Sequence, residues 1–276
     1  MRLETVEIQN NQGAVLSLSM RDISSGYSIR TIEGLGPVAA EIVTSKFASI
    51  DGEHYQASRR GTRNIVMTLG LENVPGVGSP MELRSDLYSF LIPKSEVTLR
   101  FMHESPIDTF TVQTTGRVET LEAPIFGKEP IVVVSIICFD PDFKALTPAV
   151  YSGNTVNTAT DKVMVYPGSV PGGFVFTLNV DRSIGGFTIQ NTTPSGTYMF
   201  EFIYALLAGD VVEIDTRPNS KRAYLTRGGV PRSILQAASP TAPWFGLQPG
   251  SNSFRVTVAG LPIPYSVACT PRYGGL

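Results

Sequence analysis

Apolar and polar residues alternate along most of the chain, and this alternation predicts β-strands rather than helices. The segment from Glu4 to Met20 alternates on either side of Asn10-Asn11-Gln12-Gly13, a turn sequence, and therefore predicts a hairpin. Tyr27–Glu33 and Val38–Thr44 alternate in the same way around Gly34-Leu35-Gly36-Pro37. We expect both to be half-buried strands, with one face on a core and the other in solvent.

A single segment departs from the strand pattern and predicts a helix over Met81–Ile92. Ser79-Pro80-Met81-Glu82 combines an N-cap serine, a proline at the first helical position and a glutamate placed to bond back to the cap. Pro93 ends the helix, because proline lacks the backbone donor and clashes with the preceding turn. The apolar residues of this segment form one stripe that we expect to pack on the strands: Leu83, Leu87, Phe90 and Leu91.

Further strand-like runs surround this helix, and then the pattern changes. They are rich in β-branched residues: Thr62–Leu71, Glu96–His103, Asp108–Leu121 and Ile131–Phe139. From Asp140 to Asp161 the chain is rich in Pro, Gly, Ser, Thr and Asn without periodicity, as at a domain edge. We therefore place a boundary near Pro148, with a first domain over residues 1–147 and a second over residues 148–276.

Strict alternation with aromatic residues on one face is typical of the second domain. Two segments show it most clearly, with inward positions at Phe174, Phe176, Leu178 and Val180 and at Tyr198, Phe200, Phe202 and Tyr204. Short strands separated by Gly- and Pro-containing turns continue to the C-terminus, at the spacing of a β-sandwich. The chain is thus predicted to be mainly β, with one helix in its first domain.

The composition agrees with a β-rich chain and reduces the range of possible functions. The 276 residues include 26 Gly and 20 Pro, and only 17% are charged, which disfavours helical bundles and coiled coils. The formal net charge is −2, so no overall basic field attracts a nucleic-acid backbone. The N-terminus lacks signal-peptide features, and no apolar run approaches the ~20 residues of a membrane span. We expect synthesis in the cytoplasm and no membrane partner.

Gly34-Leu35-Gly36-Pro37-Val38-Ala39 matches the loose dinucleotide-binding fingerprint, with Asp51 and Glu53 near the place of the ribose-binding acid. The preceding strand is half polar, however, whereas the first strand of a dinucleotide-binding domain is buried on both faces. Strands and helices also fail to alternate along the chain. We interpret the glycines as a connection between strands that needs unusual φ values.

The histidines and cysteines do not predict a catalytic or metal site. His54 and His103 lack a recognisable ligand spacing, so we expect no metal and no cofactor. Cys138 lies in the most apolar run of the chain, where burial raises the pKa of a thiol and opposes nucleophilic chemistry with His103. Cys138 and Cys269 are expected to be buried structural residues.

Asp210, Glu213 and Asp215 form a candidate carboxylate pair for glycoside hydrolysis, or a candidate set of calcium ligands. Strand geometry places Glu213 and Asp215 on one face and Asp210 on the other. We expect these carboxylates to lie at solvated strand edges. No nucleophile, acid–base pair or metal site is therefore predicted, and the chain is not expected to be an enzyme.

Trp244 is the only tryptophan and the one candidate binding residue. Its ring offers two roles, a platform for stacking a sugar or an anchor for the edge of the sandwich core. Leu247 and the turn at Pro249-Gly250 favour the anchor, because large aromatic side chains are mostly buried.

Seven segments, taken in order, carry a resemblance to a known family. Those of the first domain are Ile29–Pro37, Asp51-Gly52, Arg59–Arg63 and Phe139–Phe143. Those of the second domain are Gly209–Thr216, Arg222–Leu225 and Trp244–Phe254. Their order and spacing resemble the distal tail protein family of long-tailed bacteriophages over nearly the whole chain. Major tail-tube proteins share the first-domain architecture, so the second half distinguishes the two.

The resemblance implies a tail-tube-like N-terminal β-barrel with one helix and a galectin-like C-terminal β-sandwich. It also implies a non-enzymatic virion protein of the tail tip or baseplate, made in the host cytoplasm. Six copies would close into a hexameric ring that joins the tail tube protein to the tail-associated hub protein and the receptor-binding protein. DNA would pass through as cargo. The alternative function is a carbohydrate-binding module for attachment to the host surface, with Trp244 in its site.

Overall fold

The computed structural model describes residues 2–49, 51–104, 109–124, 130–156, 158, 160–239 and 243–276. These described residues are mainly β with one α-helix, which confirms the predicted class. Asp108, the predicted start of one strand, lies outside the described residues. No described helix has both the length and the apolar composition needed to cross a lipid bilayer.

The chain divides into two compact units that are not strictly consecutive in sequence. One unit comprises residues 1–146 together with Tyr273–Leu276, and the other comprises Thr147–Arg272. The predicted second domain extended to residue 276, whereas the last four residues belong to the first unit. A change in composition can indicate where a chain leaves one unit, but it cannot show that the chain later returns.

A seven-stranded antiparallel path in the order β2-β1-β7-β8-β9-β6-β3 forms the main sheet of the first unit, and β10 pairs with β8. The predicted hairpin before Met20 is confirmed as β1 and β2. The strands of this unit are β1 (Arg2–Asn10), β2 (Val15–Ser19), β3 (Tyr27–Glu33), β4 (Ala40–Ser45), β5 (His54–Arg60), β6 (Arg63–Leu71), β7 (Glu96–Glu104), β8 (Thr109–Glu122), β9 (Ile131–Cys138) and β10 (Phe143–Ala145).

The main sheet curves back on itself without closing. Strands β2 and β3 approach within 8 Å between Cα atoms, but no ladder joins them in the described residues. Side chains fill the gap instead, because Leu18 is buried and Leu16 and Ile29 pack against the same core. The predicted barrel is therefore an open, curved sheet around one apolar interior.

The helix of the first unit, α1, spans Pro80–Phe90. The predicted capping arrangement is confirmed, because the Ser79 backbone N–H donates to Glu82 Oε2 at 2.7 Å and Ser79 Oγ accepts from the Glu82 N–H at 3.4 Å. The helix ends before Pro93, as expected. Its predicted stripe faces the core: Leu83, Leu87 and Leu91 are buried, and Phe90 is half-buried.

Two sheets with a shared apolar core form the second unit, which is a β-sandwich. The first has the strand order β11-β20-β13-β16-β17-β18 and the second β12-β19-β14-β15. A 3-10 helix over Leu235–Ala237 precedes β19. A last short strand, β21 (Arg272–Tyr273), pairs instead with β10 in the sheet of the first unit. The other strands are β11 (Ala149–Asn154), β12 (Lys162–Tyr166), β13 (Phe174–Asn179), β14 (Ile184–Thr193), β15 (Gly196–Leu206), β16 (Val211–Asp215), β17 (Arg222–Arg227), β18 (Val230–Ser233), β19 (Gly250–Thr257) and β20 (Pro264–Cys269).

The predicted aromatic faces point into this sandwich. Phe174, Phe176 and Leu178 alternate inward along β13 and are buried. Phe200 and Phe202 are buried on β15, while the flanking tyrosines are half-buried. Burial of these rings supplies much of the apolar area that stabilises the unit.

Candidate functional site

Strands β4 and β5 form a hairpin that is separate from the main sheet of the first unit, and we call residues 40–60 the arm. Every side chain of β5 is exposed, and Ser45 alone on β4 is half-buried. The prediction that Val38–Thr44 is a half-buried strand is therefore wrong. An isolated two-stranded hairpin is at best marginally stable in water. We therefore expect contact with another surface to stabilise the arm.

The arm carries apolar side chains that its own chain does not bury. Ile42 is 64% exposed and Val43 is 50% exposed, and as consecutive strand residues they lie on opposite faces of the hairpin. Phe47 and Tyr55 are each 58% exposed. The outer edges of β4 and β5 also have no strand partner in the described part of the chain. Both the faces and the edges of the arm are thus available for contact.

An ion pair anchors the base of the arm. Arg60, the last residue of β5, makes a two-bond contact with the carboxylate of Asp142, whose side chain is only 2% exposed. Ala40 lies opposite Arg60 in the hairpin register. The base of the arm is therefore held in place, although its strands are exposed.

Arg63, three residues after the arm, is 1% exposed and uses all five of its N–H donors. Its guanidinium lies 4.2 Å from the centre of the Phe143 ring. Three segments distant in sequence thus meet at one side chain, and we call this group the Arg63 cluster. The acceptors are the backbone carbonyl oxygens of Gly34, Gly36, Pro141 and Gly274.

The Arg63 cluster explains the glycine motif that matched the dinucleotide-binding fingerprint. Gly34 has φ +83°, and a Cβ at this position would lie 1.9 Å from the Asn64 carbonyl oxygen. Only glycine fits at position 34, as predicted for a strand connection, whereas Gly36 does not have a positive φ and a Cβ there would meet open space. The motif leads into strand β4 rather than a helix, and Glu53 pairs with Lys46 in the arm. The residues of the fingerprint therefore do not form a dinucleotide site.

Two of the three candidate carboxylates are buried, so the prediction that all three are solvated is wrong. The Asp210 side chain is 2% exposed and makes two hydrogen bonds with Arg227, at 2.6 and 2.8 Å. The Asp215 side chain is fully buried and is paired with Arg217 at 2.7 and 2.9 Å. Glu213 remains 40% exposed. Arginine partners supply the charge and the donors that make burial of these carboxylates tolerable.

These ion pairs hold the carboxylates in their charged form. Hydrogen bonds from Arg227 keep the pKa of Asp210 below its usual value. Burial alone raises the pKa of Asp215, but hydrogen bonds from Arg217 and the charge of Arg222 outweigh burial and lower it overall. A general acid needs a raised pKa, so neither carboxylate is suited to protonate a leaving group.

The cysteines and histidines occupy unrelated positions. Cys138 and Cys269 are buried free thiols, as predicted. Burial raises the pKa of the Cys138 thiol. It raises the pKa of the Cys269 thiol to about 11. His54 is exposed in the arm, whereas His103 is half-buried and burial lowers its pKa. In the described ranges, no three His, Cys, Asp or Glu side chains come close enough to hold a metal ion.

Trp244 lies half-buried at the edge of the sandwich core. Its ring meets Phe200 edge to face, with 5.3 Å between centroids, so it contributes to the core as an anchor. The same ring borders a groove of about 620 Å³. Neighbouring walls come from Gly172 and Gly173 before β13 and from Asn219 and Lys221 between β16 and β17. The sequence pattern indicates Trp244 but not these partners, which lie far from it in the chain.

Comparison with known proteins finds likeness in structure only. No protein-family model and no curated protein matches the sequence. The crystal structure of SPP1 Dit (gp 19.1), described as a paradigm of the hub adsorption apparatus in Gram-positive infecting phages, is 14% identical. It aligns over 97% of this chain and 98% of its own, with a TM-score of 0.66. Structures of the phage P2 baseplate with Ca and with Sr are each 11% identical, with TM-scores of 0.45 and 0.44 and coverage of at least 99% of both chains. The chain therefore has the fold of SPP1 Dit, and the predicted resemblance is confirmed at the level of the fold.

Proposed function

We propose that this chain is a structural protein of the tail tip of a long-tailed bacteriophage. Six copies form a ring that joins the distal end of the tail tube to the tail-associated hub and the receptor-binding protein, and DNA passes through its centre. The observation that carries the proposal is the likeness to SPP1 Dit over 97% of the chain, in both units. A tail-tube protein sharing only the first-domain architecture would not account for the second unit.

The exposed arm supports an assembly in which neighbouring subunits meet through two different surfaces. A ring of identical subunits needs a head-to-tail interface, in which one surface of each subunit contacts a different surface of the next. An exposed hairpin with apolar residues on both faces, such as Ile42 and Val43, suits one side of that interface. Closure of the ring makes the assembly finite, so free strand edges do not lead to open-ended aggregation.

A structural role also agrees with the chemistry of the described residues. The buried carboxylates Asp210 and Asp215 are engaged in ion pairs, and the buried thiols have raised pKa values. A formal net charge of −2 gives the protein no strong overall attraction for a passing DNA duplex. We therefore propose a conduit and connector rather than an enzyme.

Negative-stain electron microscopy of the purified full chain tests this proposal. We expect six-fold rings with an open central channel wider than a DNA duplex. Particles without a channel would contradict the proposed conduit, and a field of single subunits at micromolar concentration would contradict the ring. A tape-measure gene directly upstream in the source genome would agree with the tail-tip assignment.

A further inference from the structure

The groove beside Trp244 has a rigid floor made of glycine backbone. A Cβ on Gly173 would lie 2.5 Å from the Arg217 Cα, and a Cβ on Gly246 would lie 2.5 Å from the Gly172 carbonyl oxygen. Gly172 and Leu247 also exchange two backbone hydrogen bonds, at 2.8 and 3.1 Å. Because three distant segments touch here through bare backbone, the groove stays open and its shape is fixed.

The segment that carries Trp244 is held from its other end by Asn252. This side chain is completely buried, accepts from the Gln248 N–H at 2.9 Å and donates to the Gln248 carbonyl at 2.8 Å. A further bond goes to the Gly250 carbonyl at 3.0 Å. Together with the edge-to-face contact on Phe200, this network presents the indole ring without large freedom to move.

Polar and cationic side chains line the groove together with the rings of Pro171 and Pro218. Lys221 Nζ lies over the indole ring, 6.0 Å from its centre, and makes no ion pair in the described part of the chain. Asn219 is exposed, with φ 63°, at the tip of the same loop. Among the described lining residues Lys221 is the only charged one, and nearby Asp215 is neutralised by Arg217. The groove therefore has a net positive charge beside one aromatic wall.

We propose that this groove binds a saccharide that carries an anionic group, phosphate or carboxylate. The C–H face of a pyranose stacks on an aromatic ring at about 4 Å, which leaves its substituents within reach of an ammonium group 6.0 Å from the ring centre. The groove combines the indole and the apolar rings of Pro171 and Pro218 with the polar side chains of Asn219 and Lys221, so a ring with a C–H face and polar edges fits it better than a wholly apolar peptide side chain. All the described lining residues of the groove belong to the second unit.

The single tryptophan makes a direct test possible, because the full chain labelled with ¹⁵N gives one indole N–H signal. N-acetylglucosamine 6-phosphate and glucuronic acid serve as the phosphate and carboxylate probes, with N-acetylglucosamine, inorganic phosphate and AMP as comparisons. We expect one or both anionic sugars to shift the indole signal saturably and more tightly than the neutral sugar. Lys221→Gln should weaken that binding about tenfold, as expected for loss of a charge-assisted contact.

Lys162→Gln is the matched control, because Lys162 lines a different groove of the same unit and should leave the affinity unchanged. Calorimetry on Trp244→Phe, which keeps a ring against Phe200, should also show weaker binding. The proposal is overturned if neither anionic sugar shifts the signal up to about 20 mM, beyond the range of weak specific binding. It is equally overturned if Lys221→Gln binds as well as the parent chain, or if inorganic phosphate or AMP binds more tightly than the sugars.

Discussion

At the scale of single residues, Arg63 shows how one buried charge can connect distant parts of a chain. Its five N–H donors all bond backbone carbonyls, and no carboxylate is among its direct partners. A buried cation without an ion pair is tolerated only when its donors are satisfied and neighbouring groups share its charge by electrostatic attraction. The Phe143 ring contributes to that sharing through its π face.

Arg63→Lys should therefore destabilise the first unit although the charge is kept. Lysine has three donors and no planar fork, so it leaves carbonyls unpaired in a buried place. We expect a loss of about 2–4 kcal/mol in the free energy of unfolding, measured by chemical denaturation. Arg59→Lys, at an arginine that is 80% exposed, is the control and should change it by less than about 0.5 kcal/mol. Equal effects of the two substitutions would contradict the role given to the Arg63 cluster.

Asp215 makes the stability of the second unit sensitive to acid. Its pKa is lower in the folded chain than in the unfolded one, where an aspartate titrates near 3.9. The charged carboxylate therefore stabilises the fold at pH values above about 4, and this contribution is lost as the pH falls through the lower folded pKa.

Asp215→Asn should remove about 1–3 kcal/mol of stability at pH 7, and the loss should shrink as the pH falls below about 4. Urea unfolding of both proteins across this pH range measures the difference. Asp181→Asn, at an aspartate that is 55% exposed, is the matched control. A stability difference that stays constant with pH would show that the carboxylate charge is not the cause.

Among the secondary-structure elements, helix α1 and the arm differ most in how they are stabilised. The helix has its own capping box and an apolar stripe that packs on the core of the first unit. The arm has neither a cap nor a core, and it depends on contacts at its base. Helix formation in proteins depends mainly on packing of the apolar face, so the middle of that face is the sensitive position.

Leu87→Ala should cost about 2–5 kcal/mol of stability, because Leu87 is 1% exposed in the middle of the stripe. Thermal unfolding measures this loss. Met81→Ala on the same helix is the control, since Met81 is 73% exposed and its truncation should have little effect.

Ile42→Ser combined with Val43→Ser should leave the fold of the subunit intact but weaken assembly. Both side chains are already exposed, so the thermal midpoint of the dilute subunit should change little. Sedimentation velocity should show a larger fraction of single subunits than in the parent chain. The control is Leu261→Ser, at a leucine of the second unit that is 75% exposed. Unchanged sedimentation of the arm variant would show that the arm is not part of the interface.

The sequence predicted the elements that depend on local patterns. It did not predict the features that depend on contacts between residues far apart in the chain. The cap at Ser79 and the alternation from Phe174 to Val180 are local, and both were predicted correctly. Strand β5 was missed because His54–Arg60 faces no core and therefore shows no apolar alternation. The buried state of Asp215 and the meeting of Gly34 with Gly274 at Arg63 arise from tertiary packing alone. The groove beside Trp244 could not be predicted for the same reason, because its walls come from segments far apart in the chain.

At the scale of the whole molecule, two units on one chain suggest a division of roles. The first unit carries the arm and the curved main sheet, and these are the features that we assign to ring formation. The second unit is a sandwich with a rigid groove at its edge, which we assign to ligand binding. The likeness to SPP1 Dit spans both units, so the two units together make up one shared fold.

We propose that six copies of this chain close into a ring, and native mass spectrometry of the full chain at tens of micromolar counts the subunits of the assembly. We predict a dominant species with six times the subunit mass of 29.8 kDa, without a ladder of larger species, because a closed ring leaves no free interface. A strictly monomeric spectrum at high micromolar concentration, or a closed assembly with another number of subunits, would contradict the account.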